Sequence, residues 1–130
     1  MTRSRATAKK AGSSFERLIA DYLATHLDDR IDRRVKTGAK DRGDIANLRT
    51  GNGWRVVMEC KNVSRDNLPA WIREAEVERV NDNAEVAVVC HKRHGSNKPG
   101  EQYVSMTLET FTALMRNEAF ISIFSDGHIS

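Results

Sequence analysis

The stretch Glu85 to His91, EVAVVCH, limits what this chain can fold into more than any other segment. It is the most continuous apolar run, it is rich in valine, and Asn81-Asp82-Asn83 and a basic polar loop from Lys92 to Gly100 bound it. Its length suits a strand, and a strand that is apolar at consecutive positions must be covered on both faces. Other parts of the chain therefore have to supply two covering layers. The fold class predicted is α/β, a central mixed sheet flanked by helices, and 130 residues give room for one such domain.

The flanking patterns agree. Ser13 with Glu16 three residues on reads as a capping box, and Phe15, Leu18, Ile19, Tyr22 and Leu23 follow at helical spacing until Asp28-Asp29. Ile31 to Lys36 reads as a short basic strand, Asp44 to Leu48 as a second, and Arg49 to Gly53 as a hairpin turn. Trp54 to Lys61 is a third strand, in which period two puts Glu59 and Lys61 on one face and Met58 and Cys60 on the other. A helix capped near Asn67, with Pro69 in its first turn, runs to about Val80. After the apolar strand come a strand from Tyr103 to Leu108 and a helix with Phe111, Leu114 and Met115 on one face. The order is α-β-β-β-α-β-β-α. Residues 1–12 read as a flexible basic arm and 13–130 as the folded domain; the pattern gives 120–130 no placement. Cys60 and Cys90 are too few for a disulfide scaffold or zinc site and are expected as buried neighbours on adjacent strands. Trp54 and Trp71 are expected in the core or at a dimer interface.

Charge is unevenly spread. Residues 1–42 hold eleven Lys/Arg against six Asp/Glu, whereas 43–130 hold ten against twelve. Within Arg30 to Arg42 the ratio is six to two. A basic third of the chain suits a polyanionic partner. No apolar run approaches the ~20 residues of a membrane span, and Met1 to Gly12 lacks the apolar core of a signal peptide, so an intracellular, soluble protein is expected.

Three residues carry the chemistry. Asp44 opens a strand after a glycine-containing loop, and Glu59 and Lys61 share a face of the next strand, joined to it by a tight turn. If the two strands pair as a hairpin, both carboxylates converge, and convergent carboxylates suit a hard cation such as Mg²⁺. The backbone carbonyl of Cys60 can add a third oxygen. A lysine two residues from such a carboxylate can orient a water or stabilise charge developing on phosphate. That set of parts is what phosphodiester hydrolysis requires.

Asp44, fourteen intervening residues and then Glu59-Cys60-Lys61 resembles the D…(D/E)-x-K signature of the restriction-endonuclease-like nuclease superfamily. Glu16, within Gly12-Ser13-Ser14-Phe15-Glu16-Arg17, matches the early helical glutamate of that superfamily, although the capping box with Ser13 explains it equally. Gly43 replaces the proline that usually precedes the aspartate. Small size and a basic strand just before the motif look most like Holliday-junction resolvases of the archaeal and phage type. The resemblance covers roughly Gly12 to Lys92. It implies a Mg²⁺-dependent endonuclease of α/β fold, with Mn²⁺ able to substitute, that acts in DNA recombination or repair as a homodimer. It implies the cytoplasm of a prokaryotic cell or phage-infected host. A two-fold dimer presents two equivalent sites to a four-way junction, which itself has near two-fold symmetry. By the same resemblance Asp44 and Glu59 hold the metal with the Cys60 carbonyl, Lys61 assists the attacking water, and Glu16 contacts the metal directly or through water. Arg30, Arg33, Arg34, Lys36, Lys40 and Arg42 would grip phosphates, with Arg3, Arg5, Lys9 and Lys10 of the arm adding salt-sensitive affinity. A nuclease of the same fold acting on duplex DNA in repair or restriction, and a non-catalytic DNA-binding protein, are the alternatives.

Overall fold

The apolar run forms a strand at the centre of a layered structure, seen in a computed structural model that describes residues 3–36, 38 and 40–125, the side chains of 118–125 excepted. The elements are α1 (Arg5–His26), β1 (Asp32–Arg33), β2 (Ile45–Ala46), β3 (Val56–Lys61), α2 (Leu68–Asp82), β4 (Val86–His91), a short 3₁₀ turn (Pro99–Glu101), β5 (Tyr103–Ser105) and α3 (Leu108–Ser125). β3 and β4 pair in parallel, residue for residue from Val56↔Val86 to Lys61↔His91, and β5 runs antiparallel to β4. Each face of β3–β4 is covered as expected. Phe15, Ile19 and Ala20 of α1 pack on Met58, Cys60, Val88 and Cys90, together with Ile31, Ile45 and Leu48. Trp71 and Ala75 of α2 pack on Val57, Ala84, Ala87 and Val89. Cys60 and Cys90 are buried register partners.

The expected single sheet is in fact two, of two and three strands. The hairpin joining them is nonetheless present: Arg49 bridges Arg55 antiparallel, and Val56 N–H donates to the Leu48 carbonyl at 3.0 Å. Further along, Asp44 N–H donates to the Met58 carbonyl, also at 3.0 Å. Between these bonds Ile45, Ala46 and Asn47 stand opposite Val57 alone, so the second strand bulges away from β3. Asn47 takes up the excess chain at φ 66°, a conformation that asparagine tolerates better than most residues, and its Nδ2 donates to the Arg30 carbonyl. This bulge shortens the predicted Asp44–Leu48 strand to two residues and separates the sheets. The predicted strand over Ile31–Lys36 likewise keeps only Asp32 and Arg33 in the ladder.

The first helix also starts earlier than the capping box implied. Ser4 is its N-cap, with Oγ accepting the Thr7 N–H at 3.1 Å. Residues 5–12, expected as a flexible arm, form its first two turns because Ala6, Ala8, Lys9, Lys10 and Ala11 all favour helix. One interior glycine, Gly12, costs about 1 kcal/mol, too little to stop it. Ser13 is therefore mid-helix, and no capping box with Glu16 forms. At the other end of the chain, α3 takes in residues up to Ser125, and 126–130 lie outside the described residues. Tyr103 and Val104 of β5 and Leu108, Phe111 and Met115 of α3 are exposed. Among the described residues no helix is long and apolar enough to cross a membrane.

Candidate active site

Strand period and the bulge together decide where the three singled-out side chains go. On β3, Val57, Glu59 and Lys61 face α2 while Met58 and Cys60 face α1, as the alternation predicts. Gly43 brings the chain back to β3 so closely that a Cβ there would lie 2.9 Å from Val57 Cγ1 and 3.3 Å from the Met58 carbonyl oxygen. Its φ of 92° is closed to proline, whose ring fixes φ near −65°, so the proline of the signature that the sequence resembles cannot stand at this position. Gly43→Ala is expected to lower stability by about 1–3 kcal/mol and to displace Asp44, read as a lower urea midpoint with loss of whatever activity the site supports.

Asp44 follows, 3% exposed, with Oδ2 accepting the Cys60 N–H at 2.8 Å and Oδ1 3.6 Å from Lys36 Nζ. Glu59, also 3% exposed, lies with its carboxyl within hydrogen-bonding reach of Asp44. Burial, and then the neighbouring carboxylates of Asp44 and Glu78, push the Glu59 pKa far above the usual carboxylate range. Lys61 Nζ is 2.9 Å from Glu74 Oε2 on α2. Burial works against the Lys61 charge, but Glu74, Glu59 and Asp44 outweigh it and raise the pKa, so the side chain is an ammonium at neutral pH. Lys36 is raised in the same way by Asp44, Asp41, Glu59 and Glu16.

Glu16 sits at the edge of this group, on the α1 side. Its Oε1 accepts from Arg33 Nη2 at 3.1 Å, and its pKa is raised by burial and by the Asp44 charge, with Arg33 and Lys36 opposing. The predicted phosphate-contacting residues divide. Arg34 is held inward, 3.7 Å from the buried Asp82 carboxylate, which Arg55 also approaches at 3.3 Å. Arg33 is tied to Glu16 and Arg30 to Asp28. Lys40 and Arg42 are exposed and, with Arg34 and Lys36, line a cleft of about 360 Å³ beside Asp41 and Gly43. Arg5, Lys9 and Lys10 are exposed on the first turns of α1, and Arg3 Nη1 donates to the Asn62 carbonyl, just beyond β3.

Sequence reasoning missed the acidic contribution of α2 and of the preceding loop. Glu74 and Glu78, one turn apart, both reach Glu59, and Asp41 approaches Glu59 and Glu78 from the other side. Burial and the surrounding acids raise the Glu78 pKa to about 7. The signal was present: Trp71, Ala75, Glu78 and Asp82 form the core-facing stripe of α2, and two acids on an otherwise apolar stripe are out of place. Asp41 carries no such signal; its Oδ1 accepts the Gly43 N–H and its carbonyl accepts Asn81 Nδ2 at 2.8 Å, contacts that only the tertiary structure reveals.

The donor set, Asp44 and Glu59 with the Cys60 carbonyl between Glu59 and Lys61, consists of hard oxygens. Two buried carboxyls in mutual contact fit a divalent cation such as Mg²⁺ better than a softer metal. Comparison with protein-family models finds no match, and neither curated proteins nor solved structures match the chain.

Proposed function

We propose that this protein is a Mg²⁺-dependent DNA endonuclease of the restriction-endonuclease-like fold that cuts four-way junctions, working as a homodimer. The observation that carries the reading is the convergence of Asp44 and Glu59 in one buried carboxyl pair, with Lys61 on the same face of β3. The order β1–β2, the bulged hairpin, then β3–β4–β5, with α1 and α2 on opposite faces, supports the fold resemblance.

When bound, a divalent cation lowers the pKa of a water and withdraws charge from a phosphate oxygen. Asp44 and Glu59, with the Cys60 carbonyl and Glu16, are the residues that would hold it. Lys61, charged at neutral pH, donates to the attacking water or to the phosphate and stabilises the negative charge that builds there; it is not a general base. Glu74 fixes the Lys61 ammonium in place. Lys36, Lys40 and Arg42 line the approach and lend affinity for the phosphate backbone, while Arg30, Arg33 and Arg34 serve first as partners of Asp28, Glu16 and Asp82. The exposed apolar residues of β5 and α3 support a second copy as partner.

The test is cleavage of an end-labelled four-way junction and a matched linear duplex, with Mg²⁺ and with chelator. Symmetric nicks in the junction alone, lost in chelator and lowered about a hundredfold in Lys61→Ala, are the expected result. Equal cutting of both substrates would move the reading to a duplex nuclease of repair or restriction. Metal-independent binding without cutting would leave a DNA-binding protein.

A further inference from the structure

We propose that Asp41, Glu59 and Glu78 form a second divalent-cation position, separate from the Asp44–Glu59 pair and sharing Glu59 with it. One oxygen from each of the three carboxylates lies within 4.8 Å of the other two. That span is what three ligands on one ion produce, since oxygens sit about 2.0–2.6 Å from Mg²⁺ or Ca²⁺.

Glu78 supplies the independent observation. It is 2% exposed, and among the described residues no amide, hydroxyl, lysine or arginine donates to either of its carboxylate oxygens. A carboxylate taken out of water with no donor is costly and persists only when a cation or a proton satisfies it. The group within its reach, Glu59, is another carboxyl and can donate only while holding a proton. The described lysines near the site do not pair with Glu78: Lys61 lies 2.9 Å from Glu74, and Lys36 lies 3.6 Å from Asp44 and 3.9 Å from Asp41, at the outer edge of the triad.

Charge points the same way. Fully ionised, Asp41, Asp44, Glu59, Glu74 and Glu78 would present five carboxylates against the ammonium groups of Lys36 and Lys61. The three charges left over exceed what one divalent cation neutralises. Asp41 is also aimed deliberately: the Gly43 N–H fixes its carboxylate, and Asn81, on the turn of α2 after Glu78, fixes its backbone. Loop and helix are thereby joined at the place where the three oxygens meet. With Asp44 on one side and Asp41 and Glu78 on the other, Glu59 becomes the bridging ligand of a two-cation site. Such a site can stabilise both the attacking and the leaving oxygen of phosphodiester hydrolysis. That use rests on the endonuclease reading; the cation position itself does not.

The experiment counts ions. The full chain, stripped with chelator, is titrated with Mn²⁺ at pH 8 while electron paramagnetic resonance reports free Mn²⁺. Two Mn²⁺ per chain are expected in wild type and one in both Glu78→Gln and Asp41→Asn. An unchanged count in both variants overturns the proposal and leaves a shared proton as the partner of Glu78. A wild-type count of one overturns it as well. Asp41→Asn, on a partly exposed loop, keeps the test decisive if Glu78→Gln fails to fold. The same preparations go into the junction assay. A count falling from two to one with no cleavage in wild type would sink the endonuclease reading and keep the cation position; cleavage with an unchanged count would do the reverse.

Discussion

Asp44→Asn is expected to lower cleavage by about a thousandfold or more and, in the same protein, to raise metal-free stability by about 1 kcal/mol. The two signs come from one atom. An asparagine keeps an oxygen to accept the Cys60 N–H, so the hairpin contact survives. Its Nδ2 then offers the Glu59 carboxylate a donor, where the aspartate can only accept, and only while Glu59 holds a proton. The carboxylate that would hold the cation is lost, and so is the electrostatic conflict that its presence creates. The measurement pairs the junction assay with urea midpoints in chelator. A variant that loses stability together with activity would mark Asp44 as a structural residue of the hairpin.

The second large effect is on pH dependence in chelator. Burial and neighbouring carboxylates raise the folded-state pKa of Glu78 to about 7, and that of Glu59 further, above the ordinary 4.5 of the unfolded chain. The native state therefore holds more protons than the unfolded state over that interval, and stability falls as pH rises from 4.5 through 7. Glu78 alone accounts for a loss on the order of 3 kcal/mol. It faces Glu59 on β3, Asp41 and Asp44 in the loop leading into β2, and Glu74 on its own helix. Glu74 opposes the trend only at lower pH. Burial acts to raise its pKa, but the Lys61 and Glu59 contacts hold it below the usual value, so its contribution is complete before pH 5. Lys36 and Lys61 stay charged throughout. His91, whose burial lowers its pKa, adds a rise below pH 6.5, so the decisive quantity is the difference between wild type and Glu78→Gln. That difference in urea midpoint should grow from pH 5 to pH 8; a constant difference would mean that Glu78 does not titrate in this range.

What the sequence made legible followed short-range rules. EVAVVCH is β4 to within a residue, because a strand buried on both faces has no polar alternation to obscure it. The period-two pattern of β3 sends Glu59 and Lys61 to one face and Cys60 to the other, and the glycine-rich turn returns Asp44 to their neighbourhood. Errors arose where a competing local signal or a distant partner decided. Ser13 and Glu16 satisfy the capping pattern, but Ser4 caps first, and the alanines and lysines after it carry the helix through. The extra residues at Asn47 are invisible in a pattern that counts apolar positions, yet they break the sheet. Arg34 looked like a free cation because Asp82, its partner, lies on a helix far along the chain. Glu78 was legible from its place on the stripe of Trp71, Ala75 and Asp82, but its acidic partners Glu59 and Asp41 lie on other elements, so the cluster was not.

The bulge has a mechanical consequence. Had the hairpin kept the register of Leu48 and Val56, the Cys60 N–H would have bonded the Asp44 backbone carbonyl. Instead the Asp44 side chain takes that N–H, and its carbonyl accepts from Arg34. The rung that closes the fork between the two strands is thus made by the very carboxylate that meets Glu59. Fraying of the outer hairpin and dismantling of the carboxyl pair are one event, with one opening free energy. The site exists only while that fork is shut.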